Sequence, residues 1–326
     1  MRFCGIEVEN RYFLAPMAGV TDDAFRRICE GFGAALTYTE MVSAKALTYH
    51  DAKTATLLRI HKGARPCFAQ IFGSQPDVMA EGARLALEIS GADGIDINMG
   101  CPVSKIVGNG EGSALMKEPE KAAAIVEAVR RAVSVPVTVK FRKGFASDSN
   151  TCADFARMME QAGADAMCIH GRTRAQMYSG ESDLEAVAAV KRAVSVPVIA
   201  SGDLFSPRRC IETFERTGVD FVMIARGAEG RPYIFEDCLR YEKGEEPLGR
   251  TAGEILDVML GHAEAMCEEK EENKAMVEFR KHGLWYLGHF MGVKHFKVKM
   301  AGITRLSELR ELCDEIREAD PGVKEV

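Results

Sequence analysis

The ten residues Ala128–Val137, AVRRAVSVPV, return almost unchanged as AVKRAVSVPV at Ala189–Val198, sixty-one residues later. An interval of that length is about two β/α units, so the chain is internally periodic. A second signal alternates with the first, because Gly-Ala-Asp or a close variant precedes apolar runs at Gly91, Gly163 and Gly218. The proline in each copy of the repeat suits the first position of a strand, and the glycines of the second signal suit helix ends in the left-handed conformation. Together the two signals predict strands that alternate with helices.

Eight apolar runs in the first 230 residues qualify as strands. They cover residues 11–16, 35–41, 66–73, 94–100, 136–142, 166–171, 197–202 and 221–226. Amphipathic stretches that fit helices separate most of them, namely 76–90, 118–133, 152–162, 184–194 and 207–217. Eight such units predict an α/β fold, a (β/α)8 TIM barrel. A doubly wound open sheet is the alternative, but nothing in that fold requires eight units.

The composition changes beyond the eighth unit. A charged linker that contains glycine and proline, YEKGEEP, occupies residues 241–247. Thr251 and Glu254 then have the spacing of a capping box and open a helical pattern. The stretches with helical spacing run to about Glu272, from 274 to 290 and from 307 to 318. We therefore predict a catalytic barrel domain over residues 1–240 and a small all-helical C-terminal domain over residues 241–326.

The composition excludes several classes of protein. Of 326 residues, 47% are hydrophobic and 28% charged, which is typical of a globular chain. Its ten cysteines include no Cys-x-x-Cys pair, which favours reduced thiols over disulfides, and we predict no metal site. No run approaches the roughly 20 apolar residues of a membrane span, so we expect a cytoplasmic protein without a membrane partner. The net charge of −6 argues mildly against nucleic acid, although a local basic surface can override an average.

The run Gly94–Pro102, GIDINMGCP, places a thiol directly after a predicted buried strand. The carboxyl ends of the strands are where barrels hold their chemistry. A buried cysteine is most often a small apolar filler. The residues after Cys101, however, are polar and rich in glycine, and they offer the sulfur no core to fill. Cys101 is therefore the candidate catalytic residue.

Polar groups occur at seven of the eight predicted strand ends: Glu40, Gln70, Asn98 with Cys101, Lys140 with Arg142, His170 with Arg172, Ser201-Gly202-Asp203, and Arg226. Any one alone would more often be a structural ion-pair partner, but their coincidence favours a site. Lys140 stands out because a lysine that ends an apolar strand must be paired or face a ligand. The loops after the seventh and eighth strands are where barrels commonly bind phosphate. Gly202 and Gly227 allow close backbone approach there, and Arg226 adds a forked charge, which predicts a phosphorylated cofactor.

Several motifs resemble the tRNA-dihydrouridine synthases, most closely the bacterial B-type subgroup. They occur in the right order across nearly the whole chain: Leu14–Asp22 (LAPMAGVTD), Asn98–Pro102 (NMGCP), His170–Arg174 (HGRTR), Ser201–Asp203 (SGD), Arg226–Ala228 (RGA), Arg280–His282 (RKH) and Trp285–Tyr286. The cysteine motif and the first segment are highly specific together.

This resemblance implies an FMN-containing barrel that reduces the 5,6 double bond of particular uridines in tRNA, with NADPH as the reductant. The residues that would hold the flavin, carried over by position, are Pro16, Met17, Ala18, Gln70, Lys140, His170, Ser201, Gly202, Asp203, Ala225 and Arg226. Ser201 stands where the family usually has asparagine. Asn98 and Arg142 match positions that face the uracil, and Arg172 is a further candidate for contact with the substrate.

The chemistry that the resemblance implies suits a cysteine. Carbon 6 of uracil is conjugated to the carbonyl at carbon 4, so it accepts a hydride from reduced flavin, and carbon 5 then needs a proton on the far face. An ordinary thiol, with a pKa of about 8.5, is mostly protonated at neutral pH and can supply that proton. We therefore interpret Cys101 as a general acid. Lys140 is interpreted as a cation that stabilises the anionic reduced ring.

The C-terminal region would supply the positive charge that tRNA requires. No Asp or Glu occurs between Phe279 and Ser307, and cations alternate with aromatic rings there. The candidates for contact with RNA are Arg280, Lys281, Lys294, Lys297 and Lys299, with Tyr286 and Phe296 among the interleaved rings. A basic stripe with aromatics is typical of an RNA-binding surface. Phe290 and Trp285 are expected to pack in the helical core instead.

Two other functions fit parts of the sequence. A free-pyrimidine reductase such as a dihydroorotate dehydrogenase would share the barrel and FMN, but a small substrate needs no basic helical region. A tRNA-binding folding helper needs only that region and leaves the polar strand ends unexplained. We expect the reductase that acts on tRNA, as a monomer. The choice of NADPH rests on the resemblance alone.

Overall fold

The computed structural model describes residues 1–324 and contains a closed barrel of parallel strands. In chain order the strands are β1 (Arg2–Phe3), β2 (Ile6–Glu7), β3 (Tyr12–Leu14), β4 (Thr37–Tyr38), β5 (Val42–Ser43), β6 (Cys67–Phe72), β7 (Gly94–Met99), β8 (Val137–Gly144), β9 (Ala166–Thr173), β10 (Val198–Ser201) and β11 (Phe221–Ile224). The barrel runs through β3, β4 and β6 to β11, and it closes where Phe13 of β3 bridges Leu36 just before β4. The eight predicted strands are confirmed, and the second continues into the short β5, which pairs with β6.

Helices follow every barrel strand. In chain order they are α1 (Asp23–Gly31), α2 (Ala44–Thr48), α3 (Ala52–Thr56), α4 (Pro76–Ser90), α5 (Ser104–Gly108), α6 (Pro119–Ala132), α7 (Cys152–Gln161), α8 (Leu184–Ala193), α9 (Pro207–Thr217), α10 (Ile234–Glu242), α11 (Ala252–Glu269), α12 (Glu272–Tyr286), α13 (Lys294–Gly302) and α14 (Leu306–Ala319). The predicted (β/α)8 barrel and helical C-terminal region are therefore both confirmed. Helix α10 completes the eighth unit, and its last turn passes the predicted domain boundary at residue 240. Among residues 1–324, no helix combines the length and apolar character that crossing a bilayer requires.

The near-repeat in the sequence performs one structural task twice. Proline cannot donate a hydrogen bond, and the first N–H after each strand-opening proline needs an acceptor. An aspartate from the following β/α unit supplies it, in the pairs Val137 with Asp165 at 2.7 Å and Val198 with Asp220 at 2.8 Å. The third residue of each copy is a cation that contacts the aspartate of its own pair: Arg130 lies 2.9 Å from Asp165, and Lys191 lies 2.7 Å from Asp220. The repeat therefore ties the amino end of each strand to the next unit.

An N-terminal hairpin of β1 and β2 closes the bottom of the barrel, a feature that the sequence analysis does not predict. Phe3 of β1 is fully buried, and its ring centroid lies 5.1 Å from those of Phe13 and Phe221 and 5.8 Å from that of Phe68. Phe221 and Phe68 lie at the start of β11 and β6, so the aromatic cluster fills the amino end of the interior. Offset and edge-on ring contacts of this kind add to the burial of apolar area.

Replacing Phe3 with alanine is expected to lower the free energy of unfolding by about 3–5 kcal/mol, because it empties a fully enclosed aromatic site. Denaturant melts measure the loss. Tyr49→Ala is the matched control, since that ring is 74% exposed, and it is expected to change stability by less than about 0.5 kcal/mol. Equal stability of the two variants would show that the hairpin does not seal the barrel.

Helices α11 to α14 pack around a second hydrophobic core. Helix α11 begins with the predicted capping box of Thr251 and Glu254, whereas α13 is a helix that the sequence analysis does not predict. The region docks on α1 through Lys270, whose Nζ lies 2.8 Å from a carboxylate oxygen of Asp22. Because α1 begins at the carboxyl end of β3, the helical region lies beside the mouth of the barrel.

Candidate active site

The carboxyl ends of the barrel strands bring the predicted polar residues together at one mouth. Asn98 of β7 is the register partner of Lys140 on β8, and Arg142 is that of His170 on β9. His170 in turn pairs with Ser201 of β10. Neighbouring strands lie about 4.8 Å apart, so residues in register on one face are within contact distance. These five residues, distant in sequence, therefore share one surface.

A chain of hydrogen bonds runs from the barrel interior to the loop of Cys101. Fully buried Asp96 accepts from Gln70 Nε2 at 2.6 Å and from Thr138 Oγ1 at 2.5 Å. Gln70 Oε1 accepts from Asn98 Nδ2 at 3.0 Å, and Asn98 Oδ1 accepts from the Cys101 N–H at 2.9 Å. An ionised carboxylate can only accept, so Asp96 sets the orientation of both amides. The buried carboxylate thereby determines where the backbone of Cys101 lies.

The sequence analysis missed Asp96, although it lies within the quoted run GIDINMGCP. The available signal was a carboxylate in the middle of a buried apolar strand, which is rare unless the group has partners. This series of hydrogen bonds also changes the interpretation of Asn98. Both ends of its amide bind within the protein, so the structure uses Asn98 to hold the cysteine loop, and its predicted contact with uracil stays a prediction.

Cys101 itself is half-buried and belongs to none of the hydrophobic clusters formed by the described residues. Its carbonyl oxygen accepts from the Ser113 N–H at 3.1 Å and from Ser113 Oγ at 2.8 Å. The backbone on both sides of the sulfur is therefore fixed, while the side chain fills no core. Cys168, by contrast, is fully buried in the barrel interior.

Burial raises the pKa of Asp96 from 3.8 to about 6, against the hydrogen bonds from Gln70 and Thr138 and the charge of Lys140. The folded protein then binds this proton more tightly than the unfolded chain, so Asp96 lowers stability as the pH rises through this range. We expect wild type to lose about 2–3 kcal/mol relative to Asp96→Asn between pH 3.5 and pH 7. Denaturant melts of both proteins at the two pH values measure the change. A pH-independent difference would contradict the assignment.

His170 lies buried among cations. Burial lowers its pKa well below the usual range, and Lys140, Arg142, Arg172 and Arg226 lower it further, so the imidazole is neutral at neutral pH. Its Nε2 has no hydrogen-bond partner among residues 1–324. A buried ring nitrogen without a partner is costly, and a ligand at the mouth would satisfy it. Four cations around one neutral ring favour an anionic ligand.

The loops after β10 and β11 form a small cavity lined by residues 201–205 and 225–227. The backbone turns at Gly202 with φ +117° and at Asp203 with φ +57°. The N–H groups of Gly202, Asp203 and Gly227 donate to no acceptor within residues 1–324. Unpaired backbone N–H groups beside Arg226 make a site for phosphate. The predicted flavin-binding residues Ser201, Gly202, Asp203, Ala225 and Arg226 therefore meet in one place.

The carboxylate of Asp203 is bound on the protein side of this cavity. Its two oxygens accept from the two terminal nitrogens of Arg172 at 2.7 Å each, and Oδ2 also accepts from the Ser182 N–H at 2.8 Å. The ion pair with buried Arg172 holds the pKa of Asp203 below its usual range, an effect that burial of the carboxyl opposes. Asp203 can thus offer its N–H to an anion while its own charge is neutralised.

Arg142 and Arg172 bind carbonyl oxygens of the protein, and their predicted contact with the substrate stays a prediction. Both are buried, with 4% and 2% of their surface exposed. Both guanidinium groups donate to backbone carbonyls. Arg142 binds those of Gly100 at 2.7 Å, Thr173 at 3.1 Å and Met177 at 3.0 Å. Arg172 binds those of Ser179 at 3.2 Å and Gly180. Both arginines therefore hold the loop of residues 173–182, and Arg142 ties that loop to the cysteine loop.

The first strand end lies at the same mouth. Pro16 and Met17 are half-buried and Ala18 is exposed, and Met17 packs against the cluster that fills the barrel interior. The Met17 N–H donates to Thr21 Oγ1 at 2.9 Å, and Glu40 accepts from the Gly19 N–H. These contacts fix the backbone after β3, at the place where the sequence predicts contact with a flavin.

The dihydrouridine synthase family model matches residues 13–320. The chain belongs to the dihydrouridine synthase family. It is 40% identical to tRNA-dihydrouridine synthase B of Pseudomonas aeruginosa, over 95% of this chain and 92% of that protein. The identity to tRNA-dihydrouridine synthase B of Vibrio cholerae is 41%, over 88% and 89% of the two chains. The family resemblance read from the motifs is thus confirmed.

Solved structures of two enzymes share the barrel of this dihydrouridine synthase family member. Histamine dehydrogenase from Rhizobium sp. 4-9 superposes with a TM-score of 0.60 at 15% identity, over 86% of this chain and 50% of that one. A 2-naphthoyl-CoA reductase gives 0.59 at 12% identity, over 75% and 52%. The chain spans about half the length of each, and the likeness shows the fold.

The C-terminal region of this family member has fewer free cations than the sequence predicts. Arg280 donates to the carbonyls of Ile303 at 2.7 Å and Gly302 at 3.2 Å, Lys281 donates to the carbonyl of Gly19, and Lys299 forms an ion pair with Glu315. The run of residues without acids is not free of acids in space, because α14 brings its glutamates alongside α13. Of the five predicted cations, only Lys294 and Lys297 have no polar partner within the described part of the chain.

The prediction of RNA-facing rings is wrong for Tyr286 and Phe296. Both are buried in the helical core, with 0% and 4% of their surface exposed. Phe290 is core, as predicted, and Trp285 is half-buried against the barrel. Alternation of cations and rings therefore marks helices with one buried face in this part of the family member.

Proposed function

We propose that the protein is an FMN-dependent tRNA-dihydrouridine synthase that reduces the 5,6 double bond of particular uridines, with NADPH as the source of electrons. The observation that carries this proposal is the mouth itself. The half-buried Cys101, whose backbone is held by the series of hydrogen bonds that begins at Asp96, shares the mouth with four cations and a cavity suited to phosphate. Membership of the dihydrouridine synthase family supports the choice of reaction.

The residues at the mouth fit a flavin mononucleotide. The N–H groups of Gly202, Asp203 and Gly227, with Arg226, suit its phosphate, and the free Nε2 of His170 suits a polar group of the flavin. Lys140 lies within β8, on the surface that it shares with Asn98, and it has no hydrogen-bond or ion-pair partner within residues 1–324. The other residues that we propose to hold the flavin, by their position in the family motifs, also lie in or beside the mouth. They are Pro16, Met17, Ala18, Gln70, Ser201 and Ala225.

Bound flavin would supply the hydride to carbon 6 of the uracil. The residues of the chain do the remaining work. Cys101 delivers a proton from Sγ to carbon 5, because its side chain fills no core and its backbone is held by Asn98 and Ser113. Lys140 places a positive charge where negative charge develops, which lowers the barrier. His170, neutral through burial and its cationic neighbours, binds without adding charge.

We further propose that residues 1–240 are the catalytic domain and residues 241–326 the tRNA-binding domain. Lys294 and Lys297 would contact the RNA backbone directly, and Arg280, Lys281 and Lys299 would shape that surface through their protein contacts. The target base must leave its stack to reach the mouth. We propose that the protein acts in the cytoplasm as a monomer.

The experiment compares substrates with the full-length protein. Unmodified tRNA transcript, uridine, uracil and orotate are each incubated with the protein, FMN and NADPH, and the reduced pyrimidine is measured by mass spectrometry. We expect dihydrouridine in tRNA and no reduction of the small pyrimidines. Reduction of a free pyrimidine with no product in tRNA would replace this proposal by a small-substrate reductase.

A further inference from the structure

We propose that Tyr178 and Phe205 form a wall at the barrel mouth on which an unpaired base of the tRNA, a neighbour of the target uridine, stacks. The inference rests on the proposed function and adds a binding subsite to it. The two rings come from different loops, those after β9 and β10. Neither ring enters a hydrophobic core of the described residues.

Both rings are exposed yet fixed against one cation. Tyr178 leaves 55% of its surface exposed and Phe205 leaves 45%. The Arg226 guanidinium carbon lies 4.5 Å from the centroid of the Tyr178 ring and 5.2 Å from that of Phe205. Large aromatic side chains that remain half in solvent mark surfaces that bind a partner. The arginine between the rings restrains them, so less ordering is needed when a base binds.

The loop that carries Tyr178 is held from beneath. Arg142 binds the carbonyl oxygens of Thr173 and Met177, and Arg172 binds those at Ser179 and Gly180. Met177 adopts φ +50°, a left-handed conformation that is uncommon for a side chain of this size. Two buried arginines and a strained turn thus present Tyr178 in one place. Such support is expected for a binding residue and has no use for a ring without a partner.

The charge and position of the wall favour RNA. Arg172 and Arg226 share a single carboxylate, that of Asp203, and Arg142 has no acidic partner among the described residues, so this edge of the mouth is positive. A flat aromatic wall beside a positive edge fits a nucleotide, whose base stacks while its phosphate meets the charge. Arg142 also binds the carbonyl of Gly100, next to Cys101. The wall therefore lies beside the place where the target uracil would meet the thiol.

The test separates the two half-reactions of the full-length, flavin-loaded protein. Tyr178→Ala and Phe205→Ala are compared with two controls. Tyr178→Phe keeps a ring, and Ile89→Ala changes an exposed apolar residue in the last turn of helix α4, at the end away from the barrel mouth. Flavin absorbance and thermal melts report folding. The NADPH-reduced protein is mixed with increasing tRNA transcript, and reoxidation of the flavin gives the tRNA concentration at half-maximal rate.

We expect each alanine variant to need about 5- to 150-fold more tRNA for half-maximal reoxidation. Tyr178→Phe and Ile89→Ala should behave as wild type in the tRNA titration. Flavin reduction by NADPH without tRNA should stay within about twofold in the Tyr178 variants and in Ile89→Ala. Because Phe205 lines the phosphate-type cavity, the Phe205→Ala rates are normalised to its bound flavin. An unchanged tRNA requirement in both alanine variants would overturn the inference. Slower reduction by NADPH with an unchanged tRNA requirement would assign the wall to the dinucleotide instead. Failure of wild type to pass electrons to tRNA would refute the proposed function itself.

Discussion

Replacement of Cys101 by alanine is expected to slow dihydrouridine formation in tRNA by about 10²–10⁴-fold, the range that a positioned general acid contributes. The loop should not move, because its backbone is held by Asn98 on one side and Ser113 on the other. Flavin content and reduction by NADPH should therefore remain at wild-type levels. Mass spectrometry of nucleosides from treated tRNA transcript measures the rate of product formation.

Cys267→Ala is the matched control for this prediction. Cys267 is also a free, half-buried thiol, but it lies in α11, away from the barrel strands. It is expected to form dihydrouridine at the wild-type rate. A Cys101→Ala variant with full activity would show that another group donates the proton. Equal losses in the two variants would trace the effect to stability and remove the catalytic role from Cys101.

Gly202→Ala is expected to weaken flavin binding by about 10- to 100-fold. The backbone at Gly202 has φ +117°, and a Cβ there would come within 2.6 Å of Ser182 Oγ and 2.7 Å of His170 Cδ2. Relief of that overlap must move the imidazole or the loop that carries the unpaired N–H groups, at a cost of about 1–3 kcal/mol. Titration of the flavin-free protein with FMN, followed by quenching of flavin fluorescence, gives the dissociation constant.

Gly218→Ala separates loss of the site from backbone strain. Gly218 has φ +68°, but a Cβ there meets no atom within 4 Å, and it ends α9 far from the cavity. This variant should lose about 1 kcal/mol of stability and bind FMN as wild type does. If both variants bind FMN normally, the cavity between the β10 and β11 loops is not the phosphate site.

The barrel could be predicted from sequence because its signals are local. Each copy of the near-repeat contains the cation, the strand-opening proline and the start of the strand, and the next Gly-x-Asp supplies the acceptor. The strand ends could be predicted for the same reason, since polar residues follow apolar runs directly. Their meeting at one mouth then follows from the closure of a parallel barrel.

The features that escaped prediction depend on contacts between distant segments. Phe3 closes the barrel against rings more than 200 residues apart in sequence, and its two-residue strand has no periodicity to detect. The structural role of Asp96 depends on its hydrogen bonds with Gln70 and Thr138, which lie on the neighbouring strands. The carbonyl oxygens that Arg142 and Arg172 bind lie in a loop whose path the sequence does not reveal.

Charge in the helical region illustrates the same limit. The stretch without acids suggests a continuous positive stripe, but α14 returns beside α13 and pairs Glu315 with Lys299. Arg280 instead caps the carbonyl end of α13. A count of charges along the chain therefore overestimates the positive surface that RNA meets.

One single-turnover measurement tests the central claim most directly. The full-length protein, loaded with FMN and reduced with one equivalent of NADPH under anaerobic conditions, is mixed with unmodified tRNA transcript. The account predicts that the oxidised flavin absorbance returns and that one dihydrouridine forms per flavin. A reduced flavin that persists with tRNA and is reoxidised by free uracil or orotate would contradict it.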